Sequence, residues 1–525
     1  MRKEKKYLYT VYFTIIMGFI THGFIMLNKL PNHDDVDGLK SSWNAFELGR
    51  WGQSVLNQLS RILYGSSVSV PWLIGIVAIL MLTASAIIFI RHFEIKNLYL
   101  CLAVGGILVT FPAMTSTFTY VYILAPFCIA ICLAFLGSVI VIKNPNLKGA
   151  VIGVVLMIAS LSMYQTYIGI AAAVLVLQMN RDVIETEEID LKNFFKKGFF
   201  YVAVLLVAML GYVVITRGLI RLTGWELKDY QNLRSMGEID ILHTIKGIAK
   251  IYLSVPKMIT GNLYGLTGTL MSRMMTAVVF LLNICFIVTF LRGCIKKKNW
   301  LRAICFGGLV FIFPVAYNLV YLMGDVALHT VMMYPTVMLF LECIYFANVV
   351  LEGKDISIDN WKNAIDKKQK CVQTYGIVLL FAIIQLFLSY VHTANVTYLK
   401  MDLVQKESIS YMTTVITQIK QMEGYRTDLK LSFVEKANDP VLTNLDGERQ
   451  FSYSGIIGTN NARGLATMRR YELFLKYYCG FSQECINIKD TGIDKAIIDA
   501  MPKYPEKGSM QIIDDVIVVK FDDMD

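Results

Sequence analysis

Three aspartates carry most of the chemistry legible in this sequence. Asp34, Asp35 and Asp37 lie in the run Asn32-His33-Asp34-Asp35-Val36-Asp37, directly after a largely apolar stretch from residue 7 to residue 29. A second apolar stretch begins at Pro71, and Glu47 lies in the loop between the two. Carboxylates beside a hydrocarbon boundary are costly unless they meet water, a cation or a polar substrate, so such groups are functional candidates by default. A like-charged neighbour raises the pKa of one carboxyl in such a cluster, which suits it as a general base towards a hydroxyl. The same oxygens can hold a divalent cation, Mg or Mn, as hard ligands. The plain alternative is an acidic loop that only keeps this segment outside. Asp34 and Asp35 stand nearer the apolar run and are the candidate bases; Asp37 is a substrate-binding candidate.

Other groups could meet a phosphate or a sugar. Gly49-Arg50-Trp51 offers a planar guanidinium, the geometry that grips phosphate bidentately. Alternatively, Trp43 and Trp51 anchor an interfacial helix over residues 42–48, apolar at 43, 46 and 48, while Arg50 pairs with lipid phosphate. Tyr164-Gln165 interrupts the apolar stretch 149–179; the amide can bond a sugar hydroxyl or satisfy backbone freed at a helix break. Arg217 and Arg221 lead a basic series through Lys228, Arg234, Lys246, Lys250 and Lys257. Its positions can neutralise an anionic lipid substrate or simply attract headgroups. Arg217, nearest the apolar run, is the preferred phosphate ligand of that series. His33, His243 and His329 have no second ligand at metal spacing, and HExxH and CxxC are absent, which disfavours structural zinc. No phosphate-binding loop of either common pattern occurs, against nucleotide-driven chemistry.

The elements that must position these groups are membrane spans. Of 525 residues, 55% are hydrophobic and 17% charged, against about 25% charged in ordinary soluble domains. Mean hydropathy is +0.52. Stretches of spanning length fall near 7–29, 71–90, 97–117, 119–142, 199–219, 271–291, 303–323, 329–350 and 372–391, with 149–179 too long for one helix. The Lys/Arg-bearing loops fall on one side only if 149–179 crosses twice. This predicts an α-helical polytopic membrane protein of about eleven spans, the N-terminus cytoplasmic and the C-terminus outside. The first span reads as uncleaved, since no small-residue cleavage site follows it. The net charge of +10 resides in short loops, where it sets orientation, so no nucleic-acid partner is expected.

Three large segments then face outward: loop 30–70, loop 220–270 and the tail. The chain divides into a membrane unit, 1–392, and a small α/β unit, 393–525. The tail shows helical patterning at 405–423 and 465–478 and strand-like runs at 429–434 and 516–519. Of ten cysteines, Cys479 and Cys485 lie in the tail, where a disulfide and two free thiols are both open.

Asn32-His33-Asp34-Asp35, then Gly49-Arg50-Trp51, then Ser162-Met163-Tyr164-Gln165 resemble the bacterial Gtr type II glucosyltransferase family, polytopic members of the GT-C class. Tyr504-Pro505 and Gly508-Ser509 ahead of the final hydrophobic strand are similar to members of that family. The resemblance implies a multi-pass enzyme of the bacterial plasma membrane. It implies a polyprenyl-phosphate-linked sugar as donor, a lipid-linked or cell-wall glycan as acceptor, and membrane lipids as surroundings. Carried over, Asp34 or Asp35 is the base, Arg50 and Trp51 belong to the same site, and Tyr164 and Gln165 line it. Near the outer start of the tenth span, where the resemblance leads one to expect an arginine, the chain has Leu328-His329-Thr330. His329 or Arg217 would then hold the phosphate. Rival readings are a flippase or transporter for lipid-linked sugars, a surface-polysaccharide polymerase or ligase, and a membrane scaffold whose tail binds a partner.

Overall fold

The computed structural model describes residues 2–30, 32–38, 45–66, 68–224, 226–227, 241–261, 263–322, 328–353, 356–362, 364, 366–437, 445, 450–451 and 471–524. The chain opens with α1 (Arg2–Leu27), the short α2 (His33–Gly38), α3 (Trp51–Tyr64) and α4 (Pro71–His92). Next come α5 (Leu98–Thr110), α6 (Pro112–Phe118), α7 (Val121–Lys143), α8 (Leu147–Met163), α9 (Ile168–Glu185) and α10 (Leu191–Thr223). The series continues with α11 (Ile241–Thr260), α12 (Leu270–Lys296), α13 (Trp300–Tyr317), α14 (Met338–Leu351), α15 (Ile358–Lys362) and α16 (Lys367–Lys420). Among the described residues, 9 helical segments are long and apolar enough to cross a membrane. The bent pair α5 and α6 makes a tenth, and α8 is a shorter apolar helix.

Local chemistry explains the breaks. Pro112 has no N–H to give and holds Phe111 extended, at ψ 134°, so α5 and α6 meet at 43°. The long stretch 149–179 parts at Tyr164, whose extended backbone (φ −157°, ψ 117°) ends α8 before a 3₁₀ turn, Gln165–Tyr167, starts the next helix. Inside the bundle, Thr10, Thr14 and Thr21 return their hydroxyls to carbonyls four residues earlier, so these polar groups are satisfied without water. Outward faces stay apolar: Leu210 and Val214 on α10 are 63% and 69% exposed, as a lipid-facing surface requires.

The expected interfacial helix meets the structure differently. Residues 42–44 of the interfacial helix expected over 42–48 lie outside the described residues, and Ala45–Leu48 form a single 3₁₀ turn. The amphipathic helix is α3 instead, with Val55, Leu59, Ile62 and Leu63 exposed along one side. Lys246, Lys250 and Lys257 of the basic series lie on α11. Lys228 and Arg234 lie outside the described residues.

α16 runs unbroken from the last span past residue 392 into the tail, taking in the helical pattern expected from 405 onward. Beyond it, β1 (Lys430–Val434), α17 (Tyr471–Tyr478), α18 (Lys495–Ala500), β2 (Met510–Ile513) and β3 (Val516–Lys520) follow. The sheet order is β1-β3-β2, β1 parallel to β3 in the register Lys430↔Val516, and β2 antiparallel to it. Met412, Phe433, Phe474 and Val519 share an apolar core, and Val36 of α2, fully buried, belongs to it. Residues 465–470 of the second expected helix lie outside the described residues. All ten cysteines are free thiols, Cys479 and Cys485 included.

Candidate functional site

Asn32 organises the acidic loop. Its side-chain oxygen accepts the backbone N–H of Asp34 at 2.7 Å and of Asp35 at 3.0 Å, capping α2. Its amide donates to the Thr119 carbonyl at 2.6 Å, tying the loop to the link before α7. Asp35 is thereby aimed at the start of α7, which has no side-chain cap of its own. One carboxylate oxygen accepts the N–H of Tyr122 at 3.2 Å; the other accepts those of Val121 and Asn32, each at 3.3 Å. Helix N-termini present unsatisfied N–H groups and partial positive charge, so an anion is favoured there. Burial pushes the Asp35 carboxyl up to about 7; the three N–H bonds pull it down, and Asp34 adds to the rise. Near neutral pH this group can take and release a proton.

Arg50 stands at the N-terminal edge of α3, its N–H bonded to the Ala45 carbonyl at 2.9 Å. Its guanidinium lies over the ring of Tyr164 at 4.8 Å and of Phe127 at 5.8 Å, rings that stack on each other at 4.0 Å. Nε of Arg50 is buried with no hydrogen-bond partner. A buried charged donor left unsatisfied is costly, and an anionic ligand would satisfy it.

The two sequence motifs are packed together. Gln165 donates to the Leu48 carbonyl at 3.1 Å and to the Tyr212 hydroxyl at 2.9 Å, and that hydroxyl donates to the Gly49 carbonyl at 2.9 Å. Gly49 has φ +69°, and a Cβ there would stand 2.6 Å from the Tyr212 oxygen, so both backbone and space require glycine. Gln53 donates to the Met163 carbonyl at 2.8 Å. The Trp51 indole N–H donates to Thr216 on α10 at 3.2 Å.

The remaining candidates are placed as follows. His329 precedes the 3₁₀ segment Thr330–Val337, with its Nδ1 buried and unpartnered. Burial and then the Arg50 charge push it down to about 4, so it is a neutral imidazole that can share a hydrogen bond but brings no positive charge. Arg217 is exposed on α10, one residue along from Thr216, and no contact joins it to the others among the described residues. The side chains of Asp37, His33 and His243 lie outside the description. Among the described residues no three His, Cys, Asp or Glu side chains converge as metal ligands. The N–H cage around Asp35 also favours an anion over a cation.

Tyr122, which sequence reasoning missed, gives its backbone N–H to Asp35 at 3.2 Å, and five residues further along α7 the ring of Phe127 lies 5.8 Å from the Arg50 guanidinium, so this helix links the two halves of the site. Tyr212 and Thr216, also missed, brace Gly49 and Trp51 from α10. No motif marked these three, because each matters only through contacts with residues far away in sequence. Comparison with known families gives one match: the model described as Glucosyl transferase GtrII fits residues 23–340, a segment holding every group above except those of the tail. No curated protein matches the chain.

Proposed function

The chain belongs to the GtrII glucosyl transferase family, and on that footing we propose that this glucosyltransferase draws glucose from a polyprenyl-phosphate donor. The acceptor is a cell-surface glycan on the outer face of a bacterial plasma membrane. The architecture in this reading is GT-C, with eleven spans, a cytoplasmic N-terminus, a catalytic membrane unit at 1–392 and an outer unit at 393–525. One observation carries the proposal: α7 holds the Asp35 carboxylate on its Tyr122 N–H at 3.2 Å and, through Phe127 at 5.8 Å, the Arg50 guanidinium with its unspent buried donor.

The reaction needs a base on the acceptor and positive charge on the leaving group. Asp35 takes the proton of an acceptor hydroxyl. Three of about four lone-pair sites on a carboxylate are spent here on backbone N–H groups. One site on the oxygen bonded to Tyr122 therefore remains for that hydroxyl, and the cage fixes its direction. The acceptor oxygen attacks the anomeric carbon, the bond from that carbon to the phosphate oxygen breaks, and the configuration inverts. The departing lipid phosphate gains negative charge, which Arg50 stabilises, while the neutral His329 imidazole supplies a hydrogen bond. Asp34 is the second carboxylate and raises the pKa of Asp35.

The test is transfer of radiolabelled glucose from purified polyprenyl-phosphate-glucose to membranes bearing acceptor glycan. Wild type should transfer label, Asp35→Asn should slow transfer about 100- to 10,000-fold and Asp34→Asn should reduce it less. Full transfer by Asp35→Asn would end the assignment of the base. Movement of lipid across the membrane with no transfer would favour a flippase. Reporter fusions placing loop 30–70 in the cytosol would end the outer-face reading.

A further inference from the structure

The tail core contains one residue that does not belong to the tail. Val36, next to Asp35 in α2, is 0% exposed and is buried with Met412 of α16, Phe433 of β1 and Phe474 of α17. A valine in an acidic run, Asp34-Asp35-Val36-Asp37, has no partner near it in sequence to bury against. Its burial comes from the tail folding down over α2. α17 packs directly against α2, and Tyr478, the last residue of α17, lies near enough for the Asp35 charge to push its phenol upward. Lys29, in the link between α1 and α2, holds its ammonium over the Tyr478 ring at 5.3 Å, and Phe474 stacks on that ring at 5.3 Å. The acidic loop is thus gripped from two sides, by the N-terminus of α7 through Asp35 and by the tail through Val36 and Tyr478.

Resting on the assignment of Asp35 as base, we propose that the C-terminal unit is part of the active site, with Val36 as its anchor and Tyr478 as a positioning residue that shields and orients Asp35. The tail then acts on the proton-transfer step rather than on donor capture. The donor-side groups, Arg50 and His329, face α7, α8 and the 3₁₀ segment Thr330–Val337, and no contact joins them to α17 among the described residues. Among the described side chains, the titratable groups around Asp35 are Asp34 on its own helix, Tyr122 on α7, and Tyr478 on α17 with Lys29 against its ring. Burial and then Asp35 push the Tyr478 phenol upward, so it stays neutral and excludes water without adding charge.

The experiment uses the full chain in membranes, with Tyr478→Ala, Tyr478→Phe, Val36→Ala and Val36→Ile. Transfer is measured against donor concentration and pH, and amide exchange is followed over residues 32–38. Tyr478→Ala and Val36→Ala should lower kcat about tenfold, leave KM for the lipid donor within about twofold, and speed exchange in the loop. Water admitted to Asp35 should also move the acidic limb of the kcat profile down by about one pH unit. Val36→Ile, which keeps a branched side chain in that core, should stay nearer the wild-type rate than Val36→Ala. Tyr478→Phe keeps the ring and guards against a folding defect; its limb should stay within about half a unit of wild type, since the ring does the shielding. An unmoved limb and unchanged exchange in both alanine variants would overturn the proposal, as would a raised donor KM at unchanged kcat. The two readings fail separately. Full transfer by Asp35→Asn sinks the base while faster loop exchange in Val36→Ala still reports the grip; an inactive Asp35→Asn with unaltered alanine variants sinks the grip alone.

Discussion

Gly52, the second residue of α3, packs directly on Ser162 of the second site motif, and adding one methyl group there should slow transfer. A Cβ at Gly52 would stand 2.2 Å from the Ser162 Oγ and 3.1 Å from both the Cβ and the carbonyl oxygen of Ser162. The Oγ can rotate away, giving up its 2.7 Å bond to the Ala159 carbonyl. The Cβ and carbonyl cannot, because they belong to the last turn of α8. The start of α3 must therefore back off by a few tenths of an ångström. Overpacking of this kind costs about 1–3 kcal/mol, and a 1 Å misplacement at a reacting centre can cost about 100-fold in rate. Arg50 lies two residues from Gly52; its backbone is held by the Ala45 carbonyl and the Gln53 N–H, and its guanidinium by the rings of Tyr164 and Phe127. Gly52→Ala should lower kcat about tenfold and raise donor KM, with a modest loss of thermal stability in detergent. Ser162→Gly in the same chain removes the Oγ and Cβ and leaves one contact at 3.1 Å, so the double variant should regain most of the lost rate. A Gly52→Ala enzyme with wild-type kinetics would refute the reasoning. So would a double variant no better than the single.

Three further outcomes follow from the charges. Asp35 must be ionised to act as base, so transfer should fall as pH drops through about 7, and the residual rate of Asp35→Asn, about 100- to 10,000-fold lower, should lack that limb. Arg50→Met should lower kcat about 100- to 1,000-fold by removing charge from the leaving phosphate, whereas Arg50→Lys keeps the charge, loses the stacked plane and should cost about tenfold. Arg217→Gln should leave kcat and donor KM within about twofold, because that side chain is exposed on α10; a tenfold rise in KM would restore it as a phosphate ligand.

What could be read in advance follows from how far each signal travels along the chain. The spans, the break at Tyr164 and the strands β1 and β3 are local patterns of apolar residues and were legible. The strand β2 was missed although it carries a signal: Asp514-Asp515, both at positive φ (48° and 60°), form the two-residue turn that joins β2 to β3. Asp34, Asp35 and Arg50 stood out because a charge beside a hydrocarbon run is anomalous in any fold. Tyr122 did not, since a tyrosine at the start of a span is ordinary until the loop nearly ninety residues earlier places a carboxylate on its N–H.

Val36 marks the limit most clearly. In sequence it is one apolar residue among acids and reads as noise, because the surface that buries it is built from residues far along the chain and exists only once the tail has folded. Its full burial still decides something physical. A loop held only by Asn32 and the N-terminus of α7 would be fixed by hydrogen bonds of 2.6–3.3 Å that water can replace. Burying a valine side chain contributes about 1.5–3 kcal/mol that water cannot replace, enough to hold the loop closed roughly ten- to a hundredfold more of the time. The carboxylate that must stay dry to titrate near neutral pH is the one next to it in the chain. That adjacency ties the chemistry of the membrane unit to the folding of the tail.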